Sequence, residues 1–485
     1  MLQLNRTTAQ VGPPLPEKVL QIGGGNFLRA FADWMLNIYN QKCQADLGVL
    51  LVSATPRGNY QKLQEQEGLY HVLSRGFSQG QIVDEQQLVS CISRVLHLYP
   101  DWDRFLASAE NPDLRFIISN TTEAGIRFME QDQWNDHPPA EFPAKLTHWL
   151  YRRFQFFRGD HSKGCILLPT ELIPQNGQHL RKCILQYIEH WELGDDFKEW
   201  ILSANLFCNS LVDRIVPGVS SDALSREWEK LGFQDQMLTE GEAFHFWAIE
   251  GPPEVEAELP LHRAGLNVVF TADLQPYRER KVRILNGAHT SLVAVGYLAG
   301  LDTVGACMKD EQMRRFLERL LIEEILPSLE GEPAELEAYA HSVLDRFRNP
   351  FIQHQLLSIS LNSVAKFRSR ILPSILAYHA QFQRLPSSLI LTFAGLIHFY
   401  QGKRGEQDVP LKDDPANVRF LQNCWAECEM SPEGFEQMAT QILGWEAAWG
   451  RDLNEIAGLQ TALANDLLAI EQQGMRQLLK IHQKK

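Results

Sequence analysis

The chain has 485 residues, enough for two or three domains at about 150 residues each. Its 44% hydrophobic and 22% charged residues fit a globular chain with real cores, and no run of about 18 apolar residues offers a membrane span. A net charge of −14 argues against nucleic-acid binding and obliges any anionic substrate to find a local cationic pocket.

The first segment, MLQLNRTTAQVGPPLP, has no apolar signal core. Eight cysteines (43, 91, 165, 183, 208, 307, 424 and 428) are scattered without a CxxC pair. Both features point to a reducing, cytoplasmic setting with no metal site.

KVLQIG (18–23) is the first strand, and QIGGGNFLRAF (21–31) turns from it into a helix. Gly23 and Gly25 occupy the first two glycine positions of a G-x-G-x-x-G dinucleotide fingerprint, with Leu28 in place of the third glycine. The first two serve the tight turn and the close approach of a pyrophosphate, and the third serves packing. A plain structural turn is the alternative. The second strand, GVLLVSA (48–54), is followed by TPRG without the usual ribose-binding acid. Arg57 could hold an NADP phosphate or be a solvated loop charge, so NAD is expected with NADP left open.

LRFIISN (114–120), GCILLP (164–169) and LNVVFTAD (266–273) read as further strands, with amphipathic helices between them. This is the rhythm of an α/β, Rossmann-like dinucleotide-binding domain, assigned to residues 1–275. Beyond it, RRFLERLLIEEILPSL (314–329) and SLILTFAGLIHFY (388–400) have helical spacing, so residues 276–485 are assigned to a mostly α-helical substrate and catalytic domain.

KVRILNGAHT (281–290) opens that domain. On an α-helix Lys281, Asn286 and His289 point to about 0°, 140° and 80°. That permits convergence on one pocket but also suits a surface lysine, a helix asparagine and a core histidine. Carbonyl reduction needs a proton donor and an alkoxide-holding donor, which Lys and Asn can supply. Lys366, Arg368 and Arg370 could hold a carboxylate or form a solvated basic face. His354 is a weaker candidate for the same carboxylate or else a packed or capping histidine. Asp213 and Arg214 read as an ion pair or a cofactor contact, and Glu123 and Glu171 either sit near the pocket or are ordinary loop carboxylates.

The K-x-x-x-x-N-x-x-H pattern of Lys281, Asn286 and His289 resembles the signature of the mannitol dehydrogenase family of long-chain polyol dehydrogenases. GGGNFLRAF (23–31), EGLY (67–70), SNTTEAG (119–125), PTELIPQNG (169–177), FCNSLVDRIVPG (207–218), RFRNPFIQH (346–354) and KFRSRILP (366–373) resemble further family segments in the family's order. Several of them look more like a branch acting on keto-uronates. Cys208 replaces a family proline, and Thr170 and Glu171 stand where polyol enzymes often show Cys-Asp-Asn.

The resemblance implies a metal-independent, NAD-dependent reduction of a keto-uronate to an aldonate. It implies that Lys281 is the acid and base, that Asn209 and Asn286 hold the carbonyl oxygen, and that His289 binds a substrate hydroxyl. Ile22, Gly23, Gly24, Gly25, Asn26, Phe27 and Arg29 would line the cofactor, and Lys366 and Arg370 would bind the sugar acid. The alternatives are a fructuronate reductase, a mannitol-type polyol dehydrogenase or, outside catalysis, a silent dinucleotide-binding regulator.

Overall fold

Six short strands, all paired in parallel, form the central sheet of the computed structural model, which describes residues 1–53, 55, 60–78, 80–121 and 125–482. Across the sheet they run Ile92–His97, Gly48–Ser53, Glu17–Ile22, Phe116–Ser119, Ile166–Pro169 and Leu206–Phe207. Numbered along the chain this is the order 3-2-1-4-5-6 of a doubly wound dinucleotide fold.

The apolar runs make this sheet because alternate residues feed two cores. Val19, Leu51 and Ile118 face one, with the helical stretch after the glycine turn; Leu20, Leu50 and Ile117 face the other, with helices Phe142–Phe156 and Asn176–His190. A strand buried on both faces loses the polar alternation of a half-exposed one, which is why these segments read as continuous apolar runs.

The chain departs from the expected rhythm in two places. LNVVFTAD yields only Val268–Thr271, which leaves the central sheet and pairs in parallel with Phe246–Glu250; that strand in turn pairs antiparallel with Asn209–Asp213. Tyr70–Ser78 and Gln81–Val89 join Thr239–Glu242 in a third sheet. Gln81–Val89 is largely polar and exposed, so no apolar run announced it.

The described residues divide into two units. The first comprises Met1–Arg75 and Val83–Leu274, and the second Gln275–Lys485 with Gly76–Ile82. Beyond Leu274 the second unit is helical apart from the two-residue strands Lys403–Arg404 and Gln407–Asp408. Helices Gly287–Leu298 and Ser387–Phe399 are buried over most of their lengths and pack on each other. A helix apolar all round belongs at the centre of its unit, as these do. Among the described residues no helix is long and apolar enough to cross a membrane.

Candidate active site

The glycine turn lies where the strand order reverses, between Glu17–Ile22 and Phe116–Ser119. Gly23 has φ +105°, and a Cβ there would stand 2.9 Å from the Asn120 carbonyl oxygen, so only glycine fits. Gly24 is packed between Leu51 and Tyr60, and its N–H donates to Tyr60 Oη at 3.0 Å. A Cβ on Gly25 would meet nothing within 4 Å, and no side chain caps the helix that starts at Asn26. Its first N–H groups are thus not taken by a capping side chain, which suits an anion there.

Ile22 is buried beneath the turn, Asn26 is exposed, and Phe27 stacks on Phe31 at 4.9 Å. Arg29 points inward: its guanidinium donates to Gly24 O at 3.1 Å, to Asn26 Oδ1 at 2.6 Å and to the Met237 carbonyl. It braces the turn from behind. Below it, Gln21 Nε2 donates to Gly23 O at 3.0 Å and to Asp33 Oδ2 at 3.2 Å, and Tyr70 Oη donates to the same Asp33 oxygen at 3.1 Å. Burial pushes the Asp33 carboxyl up to about 7 against the pull of these bonds.

A cavity of 390 Å³ opens beside the turn, lined among others by Gly25, Tyr60, Asn120, Thr121, Arg127 and Lys145. Tyr60, Arg127 and Lys145 carry no local sequence signal, because they converge from segments far apart in the chain. Arg57 and Glu123 lie outside the described residues.

Glu171 is no solvated loop carboxylate. It is 2% exposed, accepts from Thr121 N and Oγ1 at 2.9 and 3.1 Å, and accepts from Ser119 Oγ at 3.1 Å. It therefore shapes the cavity edge at Thr121. Arg214 is buried against the Trp34 ring and donates to backbone carbonyls and to Ser74 Oγ, so these bonds tie neighbouring segments together.

Asn209 is 3% exposed. Its Oδ1 accepts from Gly177 N and Gln178 N at 3.0 and 3.2 Å, capping helix Asn176–His190 from a neighbouring strand. Gly177 makes this possible, since any Cβ there would collide with the Cys208 carbonyl. Asn209 Nδ2 donates to Glu250 Oε1 at 2.6 Å. The sequence reading passed over Glu250, which only strand pairing brings opposite Asn209.

In the second unit Lys281–Asn286 is not α-helical. It forms a π-turn, closed by the Gly287 N–H bonding to the Val282 carbonyl five residues back. The angles expected from α-helical geometry therefore do not apply. A π-turn brings residues five apart onto one side, as four-apart residues are in an α-helix, so Lys281 and Asn286 align. Between 283 and 290 only Asn286 and His289 are less than fully buried, and Lys281 is half-buried one turn earlier. All three are partly exposed, as is Val282 beside Lys281.

His289 packs on Phe347 at 4.3 Å and meets the His354 ring edge-on at 5.2 Å, so His354 belongs to the same cluster. Helix Ser363–Arg370 crosses here: the Arg370 carbonyl lies 3.5 Å from where a Gly287 Cβ would be, and Arg370 Nη1 donates to Thr290 Oγ1 at 3.4 Å. Lys366 Nζ donates to Ile359 O at 2.8 Å. Burial pushes both cations below their ordinary values, and for Lys366 the nearby Arg370 adds to the shift. Among the described residues no three His, Cys, Asp or Glu side chains stand together as metal ligands.

Residues 17–263 match the mannitol dehydrogenase Rossmann domain and residues 273–471 the mannitol dehydrogenase C-terminal domain. Altronate oxidoreductase from Yersinia enterocolitica is 44% identical over 95% of this chain and 96% of its own length. A D-sorbitol dehydrogenase structure in substrate-free form shares the fold with TM-score 0.80, at 20% identity over 98% of this chain and 99% of that one. Mannitol 2-dehydrogenase from Pseudomonas fluorescens, solved with NAD and D-mannitol, aligns with TM-score 0.65 at 21% identity over the whole of both chains. With both family domains matched in sequence and the doubly wound sheet followed by a helical unit, the chain belongs to the mannitol dehydrogenase family of oxidoreductases.

Proposed function

We propose that this protein is an NAD-dependent altronate oxidoreductase, reducing the ketone of tagaturonate to altronate and running the reverse oxidation. The observation that carries the substrate assignment is Arg370, a guanidinium held at Thr290, one residue beyond His289. A uronate has a carboxylate for such a cation and a polyol has none. The altronate oxidoreductases among the relatives support the same reading.

The glycine turn fits a dinucleotide: Gly25 is open on its Cβ side, the helix start has no side-chain cap, and a cavity adjoins both. When bound, the nicotinamide cofactor supplies hydride for reduction or accepts it in oxidation. Lys281 gives its ammonium proton to the ketone oxygen in reduction and takes that proton back in oxidation, so no metal-bound water is needed. Asn286 donates an amide N–H to the oxygen as negative charge develops, and Asn209 is assigned a second such bond. His289 binds a substrate hydroxyl, and Lys366 with Arg370 receives the carboxylate.

The test is the absorbance of NADH and NADPH with tagaturonate, fructuronate and fructose. Tagaturonate with NADH should turn over fastest, and Lys281→Ala should slow it by about 10²–10⁴ while leaving NADH binding intact. Faster reduction of fructose than of tagaturonate would overturn the uronate assignment.

A further inference from the structure

Asn209 and Glu250 are directly opposed in antiparallel register at the ends of their strands. Glu250 uses both oxygens: Oε1 accepts from Asn209 Nδ2 at 2.6 Å, and Oε2 accepts from Leu274 N at 2.9 Å. Leu274 directly precedes the helix that continues into Lys281.

The amide of Asn209 is therefore specified on both sides. Its oxygen faces two N–H donors at a helix N-terminus and its nitrogen faces a carboxylate. A flipped amide would set donor against donor and oxygen against carboxylate, losing three bonds at once. One Nδ2 hydrogen is committed to Glu250, which fixes the direction of the other. The carboxylate's charge would oppose a growing alkoxide, and the helix N-terminus on the far side of the amide offsets it.

We propose that Glu250 is a positioning residue, which acts through Asn209 by holding its amide so that the second Nδ2 hydrogen points at the reacting oxygen. The proposal rests on the role given to Asn209 above. A misplacement of about 1 Å in such a donor costs up to about 100-fold in rate.

A double-mutant cycle on the full-length protein tests it, with kcat and KM for tagaturonate reduction, NADH affinity by fluorescence and thermal unfolding read for each variant. E250A should lower kcat by about 10- to 100-fold, with KM and NADH affinity little changed. In an N209A background E250A should cost nothing further. Where N209A does not fold, N209D replaces it, because a carboxylate still receives the two helix N–H groups; there E250A should leave kcat level or raise it by removing a like charge. Wild-type kcat in E250A, or the same loss with and without Asn209, overturns the proposal. Wild-type kcat in N209A overturns instead the reading of Asn209 on which it rests.

Discussion

Arg370 and Lys366 are four residues apart on one helix, two like charges on one face, and each is held only by neutral acceptors in the bonds described. Burial lowers the affinity of both for a proton, so the pair gains when an anion arrives. A charge-assisted bond to a carboxylate is worth about 1.5–3 kcal/mol. Arg370→Ala should therefore lower kcat/KM for tagaturonate by about 10- to 150-fold, while any activity on uncharged fructose falls far less. Equal losses on the two substrates would remove Arg370 as the carboxylate contact. At this scale the sequence named Lys281, Asn286 and His289 but could not orient them, because α-helical spacing does not reveal an inserted π-turn. Val282, Ile284 and Leu285 keep a helical pattern in either geometry.

The glycine turn separates two demands within one element. Gly23 serves the fold, with positive φ and the Asn120 carbonyl in the way of a Cβ; Gly25 has φ −64° and open space. Gly23→Ala should destabilise the protein by roughly 1–3 kcal/mol, seen as a lower Tm. Gly25→Ala should leave Tm unchanged and weaken NADH binding, because its methyl would stand where the pyrophosphate approaches. Unchanged NADH affinity in Gly25→Ala would move the phosphates away from this turn. The strand–turn–helix was legible from its apolar run and its glycines. The buried brace of Arg29, Gln21 and Asp33 was not, since inward-facing polar residues look like surface ones until the fold supplies their partners.

For the whole molecule, Asp33 makes stability depend on pH. Its carboxyl is raised from 3.8 to about 7 by burial, so the folded chain keeps a proton that the unfolded chain releases. The stability this provides is fully present below about pH 4 and is lost as pH rises through about 7. Asp33→Asn keeps an oxygen for Gln21 and Tyr70 without the titration. Relative to wild type it should gain stability steadily from pH 4 to pH 8, with a ceiling of roughly 4 kcal/mol. A difference in unfolding free energy that stays flat across that range would refute the buried proton.

The sequence by itself determined the α/β first half, the glycine turn and the helical second half, because hydrophobic period and turn chemistry act over a few neighbouring residues. Only the tertiary structure decided what Asn209, Glu171 and Glu250 do. The partners of these side chains lie 24 to 52 residues away along the chain, at Gly177 and Gln178, at Thr121 and Ser119, and at Asn209 and Leu274. A buried polar group takes its meaning from the partner that repays its lost water, and that partner is set by strand order and register.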